Sequence, residues 1–277
     1  MSPRHEAEPA RFPPGACDTH VHFYDGRHPV APGAFLRPPD ATVDDYRMIA
    51  VELGLDRLVV VQPTTYGLDN TCQLDAMAAF DDAARGVMVV DDNTDDSELA
   101  RLTDLGVRGA RFHMLPGGAV PWEMLDVVAR RIAPFGWHIQ LQLNGRDLYE
   151  RGDQLLRLPV DLVVDHVGRF MPPVDIDHPS FETLLDVVES GRGWVKLSAP
   201  YESSVIGPPG YDDLLPLVDA LVARAPDRVL WATNWPHPGQ TDPPGAADLA
   251  RLADRWFPDA GILHRVLVDN PAELYDF

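Results

Sequence analysis

The stretch ACDTHVH at residues 16–22 sets two histidines at the end of a short apolar run, just before a loop rich in glycine and proline. Residues i and i+2 of a strand share a face, so His20 and His22 are expected to leave the same side of a first strand. Seven more runs of similar length follow: LVVVQ at 58–62, GVMVV at 86–90, VRGARFH at 107–113, WHIQLQL at 137–143, DLVVDHV at 161–167, GWVKLS at 193–198 and RVLWATN at 228–234. Near-continuous apolar runs of this kind mark parallel strands buried on both faces. The intervening segments carry helix signals. Thr42 to Asp45 opens an amphipathic stretch that Gly54 ends, 95–105 precedes Gly106, 121–135 precedes Gly136 and 179–189 precedes Gly191. Segments 212–225 and 245–256 fill the last two gaps. Strand followed by helix eight times, without a composition break, predicts an α/β fold, a single (β/α)8 TIM barrel over residues 1–277. Residues 1–14 read as a flexible N-terminal extension.

A chain of 277 residues suits one barrel of this type. Its 43 Asp and Glu against 23 Lys and Arg give a formal charge of −20, which disfavours nucleic acid and anionic membranes as partners. Nothing in the run of residues approaches the length of a membrane span, and the polar first ten residues lack the apolar core of a signal peptide. The two cysteines, Cys17 and Cys72, form no CxxC and read as buried thiols of a reducing compartment, so the cytoplasm is the expected location. Oligomeric state is not readable.

Active sites of such barrels lie at the C-terminal strand ends. The polar residues there are His20 and His22, then Gln62 with Thr64 in the following loop, then Arg111 and His113. Gln142 and the nearby Arg146 follow strand 5, His166 and Arg169 follow strand 6, Tyr201 follows strand 7 and Asn234 ends strand 8. A structural role, packing a strand end or pairing on the surface, stays open for any one of them, Arg146 and Arg169 especially.

Five segments in order, DTHVH at 18–22, VVDHVGR at 163–169, VKLSAPY at 195–201, WATNWPHP at 231–238 and DNPAELY at 269–275, resemble the amidohydrolase superfamily. The resemblance is to the branch holding pyrone-dicarboxylate lactonases and galactarolactone isomerases. It implies a reaction centre framed by His20, His22, His166 and the strand 8 residue. That residue is usually aspartate, and here it is Asn234. An amide is no base near neutral pH and brings no charge to a divalent cation.

Many members of the superfamily hold zinc with the strand 1 histidines, ligands from strands 4 and 5 and the strand 8 aspartate. Catalytic zinc needs about three protein ligands and an open position. Here strand 5 offers Gln140 and Gln142 and strand 8 offers Asn234, so neither metal nor other cofactor is expected. The expected substrate is a small anionic lactone. Arg111, Arg146 and Arg169 would recognise its carboxylate, with His113, Gln142, Tyr201, Gln62 and Thr64 completing the binding wall. His20 and His22 would polarise the lactone carbonyl, and His166 would be the base, with an ordinary pKa near ~6.5. Metal-independent lactone hydrolysis leads. Lactone isomerisation is the alternative that Asn234 suits, and a zinc-dependent decarboxylase or amidohydrolase is a further one. A binding protein without catalysis is the remaining possibility.

Overall fold

The computed structural model describes residues 12–277. Eight parallel strands stand in sequence order in one sheet: β1 (Cys17–Val21), β2 (Arg57–Val61), β3 (Ala84–Met88), β4 (Val107–His113), β5 (His138–Gln142), β6 (Leu162–Val164), β7 (Gly193–Leu197) and β8 (Val229–Trp231). The ring closes just beyond the ends of β1 and β8. Val21 bridges Trp235 in parallel, the Asn234 N–H donates to the His20 carbonyl at 3.1 Å, and the His22 N–H donates to the Trp235 carbonyl at 2.9 Å. The seam of the barrel is therefore built from His20, His22 and Asn234, residues that the sequence places among the candidates for its chemistry. This is the α/β barrel the strand runs imply.

Around it lie α1 (Val43–Leu53), α2 (Thr71–Ala78), α3 (Asp96–Asp104), α4 (Leu125–Ile132), α5 (Leu148–Leu156), α6 (Pro179–Glu189), α7 (Leu215–Arg224) and α8 (Ala246–Trp256). The start of α1 follows from its sequence: Thr42 accepts from the Asp45 N–H while Asp45 accepts from the Thr42 N–H, and Gly54 ends the helix at φ 76°. Helix α8 turns Leu249, Ala250, Leu252, Ala253 and Trp256 inward, and burying a leucine fully contributes about 1.5–3 kcal/mol. Two of the helices, α2 and α5, have no counterpart among the helical stretches expected from sequence. The first has 8 residues and the second carries Gly152 near its middle, so neither shows a long apolar stripe. The stretch 121–135 is not one helix, because α4 is flanked by 3-10 turns at Trp122–Met124 and Ala133–Phe135.

Past α8 the chain forms α9 (Ala260–His264), a π turn at Arg265–Asp269 and α10 (Asn270–Tyr275). Tyr275 plugs the end of the barrel away from the strand C-termini, packed with Cys17, Val59, Val61, Val87, Val163, Trp194 and Leu230. His138 meets the Tyr275 ring at 5.3 Å, and Gly109 beside it cannot be larger, since an added Cβ would lie 2.5 Å from the His138 ring. Tyr275 thus fills one end of the strand ring, and the cavity described below lies at the other. Of the expected N-terminal extension, residues 1–11 lie outside the described residues. Phe12 is buried, donates its N–H to the Leu53 carbonyl and packs edge-on against Trp231 at 4.8 Å.

Candidate active site

Strands β6 and β8 end sooner than their apolar runs do, because the backbone turns left-handed at the rim. His166, Val167 and Arg169 have φ of 57°, 56° and 50°, Ala199 after β7 has 44°, and Asn234 and His237 after β8 both have 61°. Such values are unfavourable for residues with a Cβ and most so for β-branched valine. Strain of this kind costs ~1–3 kcal/mol per residue and persists only where the surroundings impose it. Here it turns His166 and Asn234 off their strands into one small cavity. His22, Tyr24, Thr64, Arg111, His113, Gln142, His166, Glu202 and Asn234 line it, with Leu36, Pro63 and Pro238 at its edge.

Arg111 is 4% exposed, yet it has no carboxylate within hydrogen-bond reach among the described residues. It donates to the Gln62 carbonyl at 2.6 Å and to Gln142 Oε1 at 2.6 Å, and its Nε is buried without a partner. Burial lowers its pKa, opposed mainly by the charge of Asp165. A guanidinium held by neutral oxygens at a cavity wall is an unpaired buried charge, a costly arrangement without an anion to meet it.

Asn234 is 1% exposed. Its Nδ2 donates to the Tyr201 hydroxyl at 2.9 Å, and that hydroxyl lies 3.0 Å from His237 Nδ1. The Asn234 Oδ1 is buried without a partner. Below it Asp18 locks the β1–β8 seam, accepting from Thr233 Oγ1 at 2.5 Å and from the Thr233 N–H at 2.9 Å. Burial nevertheless lifts the Asp18 pKa to about 6.

His166 places Nδ1 at 2.8 Å from Ser198 Oγ and has no protein partner at Nε2 among the described residues. Its pKa is not the ordinary ~6.5. Burial, aided by Arg111, Lys196 and His20, holds it well below that value, so the ring is neutral. His20 and His22 are likewise neutral for want of solvation, His22 at about 3. Their Nε2 atoms lie 3.2 Å apart, and His22 Nδ1 is 2.7 Å from the Val61 carbonyl. His20 is fully buried and stands behind His22, with its ring 4.9 Å from that of His166.

Several residues singled out from sequence sit elsewhere. Gln62 turns its amide away from the cavity to the Gly67 and Asp69 carbonyls, and only its backbone serves Arg111. Arg146 caps the Pro172 and Pro173 carbonyls on the exterior. Arg169 is tied at 2.5 Å to Glu202, which leaves the cavity-lining Glu202 paired. Tyr201 stands behind Asn234 and does not form the wall. Thr64, His113 and Gln142 do line it, His113 Nδ1 lying 3.2 Å from Gln142 Oε1. The reading by strand ends gives no catalytic or binding role to Tyr24, Glu202, Asp165, Gln140, Ser198 or Lys196. The last four stand on or next to the same strand ends and carry the signal of polar residues in an apolar run. Tyr24 and Glu202 come from loops and carry none.

His20, Asp165 and His166 bring possible ligand atoms within 4.8 Å of one another. The spacing of the two Nε2 atoms would also suit an ion, but the surroundings do not. A histidine that ligates a metal donates its other N–H to an acceptor. At His20 Nδ1 one acceptor, Asp165 Oδ1 at 3.4 Å, competes with two donors, Gln140 Nε2 at 3.4 Å and Lys196 Nζ at 3.5 Å. The donors from β5 and β8 are neutral amides, and Lys196 and Arg111 already place two cations beside one carboxylate, Asp165. This donor set does not fit a catalytic zinc centre.

Residues 17–277 match the model of the amidohydrolase family. The D-galactarolactone isomerase of Agrobacterium fabrum is 36% identical over 95% of this chain and 92% of its own. The 2-pyrone-4,6-dicarboxylate hydrolase of Comamonas testosteroni is 36% identical over 96% of this chain and 91% of its own. An apo crystal structure from Agrobacterium tumefaciens superposes with a TM-score of 0.91 at 35% identity, covering 96% of this chain and 97% of that one.

Proposed function

The chain belongs to the amidohydrolase family, and from that premise we propose that it isomerises a small carboxylated lactone without a metal ion, by moving the acyl group to another hydroxyl of the same molecule. The observation that carries this reading is Asn234. At the end of β8 stands an amide with an unpartnered buried oxygen, able to accept a hydrogen bond from a substrate hydroxyl but unable to take its proton. The cavity's one lining carboxylate among the described residues, Glu202, is engaged by Arg169.

In this reading the substrate carboxylate meets Arg111, whose bare Nε and lack of an anionic partner await one. Asn234 Oδ1 orients a ring hydroxyl. His166, neutral and with Nδ1 against Ser198, receives the hydroxyl proton at Nε2 as the alkoxide attacks the lactone carbonyl. Charge on the carbonyl oxygen is met by the His20 Nε2–H once the substrate oxygen replaces His22 Nε2 as its acceptor, an oxyanion site whose loss typically costs ~10²–10³ in rate. When the first ring opens, His166 returns the proton to the departing alkoxide. No water is consumed.

Hydrolysis is the second reading, favoured by the similarity to the Comamonas hydrolase. Turnover of a galactarolactone in 18O-labelled water separates the two. Isomerisation leaves solvent oxygen out of the product, whereas one 18O per turnover establishes hydrolysis. Two buried, unpaired cysteines suit a reducing cytoplasm.

A further inference from the structure

Lys196 lies on β7 with its side chain wholly inside the barrel, beneath the histidines and outside the cavity wall. Its Nζ donates to the Thr19 carbonyl at 2.7 Å and to Gln140 Oε1 at 2.7 Å, and it stands 3.5 Å from His20 Nδ1 and 3.9 Å from Asp165 Oδ1. A buried ammonium is costly, and none of its contacts touches the substrate space. Its use becomes clear when the protons on the two histidines are counted.

The count begins at His22. Its Nδ1 faces a backbone carbonyl at 2.7 Å, which can only accept, so Nδ1 carries the proton. The ring is neutral, so His22 Nε2 is a lone pair. The contact of 3.2 Å between the two Nε2 atoms then needs a proton on the other side, at His20 Nε2. His20 is neutral too, so its Nδ1 is a lone pair. Two donors face that lone pair. Gln140 is oriented by Lys196, which takes its Oε1, so its Nε2 points at His20 and at Asp165 Oδ2. The ammonium is the second donor. The opposite tautomer would have His20 donate from Nδ1 to Asp165 Oδ1, 3.4 Å away and otherwise unpartnered.

We propose that Lys196 is a positioning residue, whose ammonium, directly and through Gln140, holds His20 as its Nε2–H tautomer and so presents that proton at His22 on the cavity wall instead of losing it to Asp165. The charge of Lys196 also lies behind the N–H that meets the developing oxyanion.

The catalytic part rests on the lactone reading; the tautomer part does not. Nitrogen-15 spectra of histidine- and lysine-labelled wild-type protein, without substrate, are expected to show His20 protonated at Nε2 and a correlation from Lys196 Nζ across a hydrogen bond to His20 Nδ1. In Lys196→Met the proton is expected to move to Nδ1. Against a lactone, kcat should fall ~10²–10³ with KM within about threefold, a split that a merely loosened barrel would not give. A wild-type spectrum with His20 protonated at Nδ1, or lacking the Lys196 correlation, overturns the proposal even if Lys196→Met does not fold. So does a folded Lys196→Met protein with an unchanged His20 tautomer. If the spectra behave as expected but no lactone is turned over, the functional reading fails and the Lys196 assignment stands.

Discussion

Lowering the pH from 7.5 to 5.5 should remove most of the stability of this protein. Six histidines, His20, His22, His113, His138, His166 and His237, have pKa values lowered by burial, to about 3 or 4 where a value is defined. In the unfolded chain each would titrate near ~6.5. A depressed folded-state pKa gives stability that is present above the unfolded value and lost as pH falls toward the folded one, here from about 6.5 downward. At pH 5.5 each unfolded imidazole is stabilised by about 1.4 kcal/mol relative to pH 7.5, so six together remove roughly 8 kcal/mol. Asp18, raised to about 6, works in the opposite sense. Its contribution is fully present below its unfolded pKa of about 3.8 and is lost as pH rises through 6, so acidification restores only about 1 kcal/mol. The net loss of about 7 kcal/mol rivals the whole stability of an ordinary domain, ~5–15 kcal/mol. Urea unfolding followed by circular dichroism at pH 7.5, 6.5 and 5.5 measures it. An unfolding free energy that changes by less than about 2 kcal/mol across this range would refute the argument, because the six rings would then have to be charged or solvated in the folded state.

Arg111→Met should weaken binding of a carboxylated lactone by about 2–5 kcal/mol, or ~30- to several-thousand-fold in KM. Arg146→Ala, outside the cavity, should leave KM unchanged, and equal effects in the two variants would remove Arg111 from the substrate. His166→Asn should lower kcat at least ~10²-fold, and near-normal turnover would mean the proton goes elsewhere. Dialysis against a strong chelator should leave activity intact and elemental analysis should find no stoichiometric zinc. One zinc per chain with activity lost on its removal would contradict the reading of the donor set.

The eight strand runs, the order of the elements and the placing of His20, His22, Arg111, His166 and Asn234 at strand ends were legible in the sequence. Burial on both faces of a parallel strand leaves an apolar run, and polar residues that interrupt such a run at its end have only the barrel mouth to face. Helices α2 and α5 were not legible, since a short or glycine-bearing helix can be held by the barrel beside it without a strong stripe of its own. Function of the arginines was legible only as chemistry. All three stand at or just beyond strand ends, with a structural role more open for Arg146 and Arg169; in the fold Arg146 folds back on prolyl carbonyls, Arg169 finds Glu202, and Arg111 of the three is left buried without an anion. The partner of a long side chain is chosen by what the closed fold brings within a few ångströms, not by its neighbours in the chain. The same holds for protons. Residue type alone assigns His166 an ordinary pKa, and only burial among Arg111, Lys196 and His20 makes it neutral. The sequence by itself determined the barrel and the list of groups at its mouth. Tertiary structure decided which of them are charged, which face the cavity and where each proton sits, because those depend on solvation and distance across strands far apart in the chain.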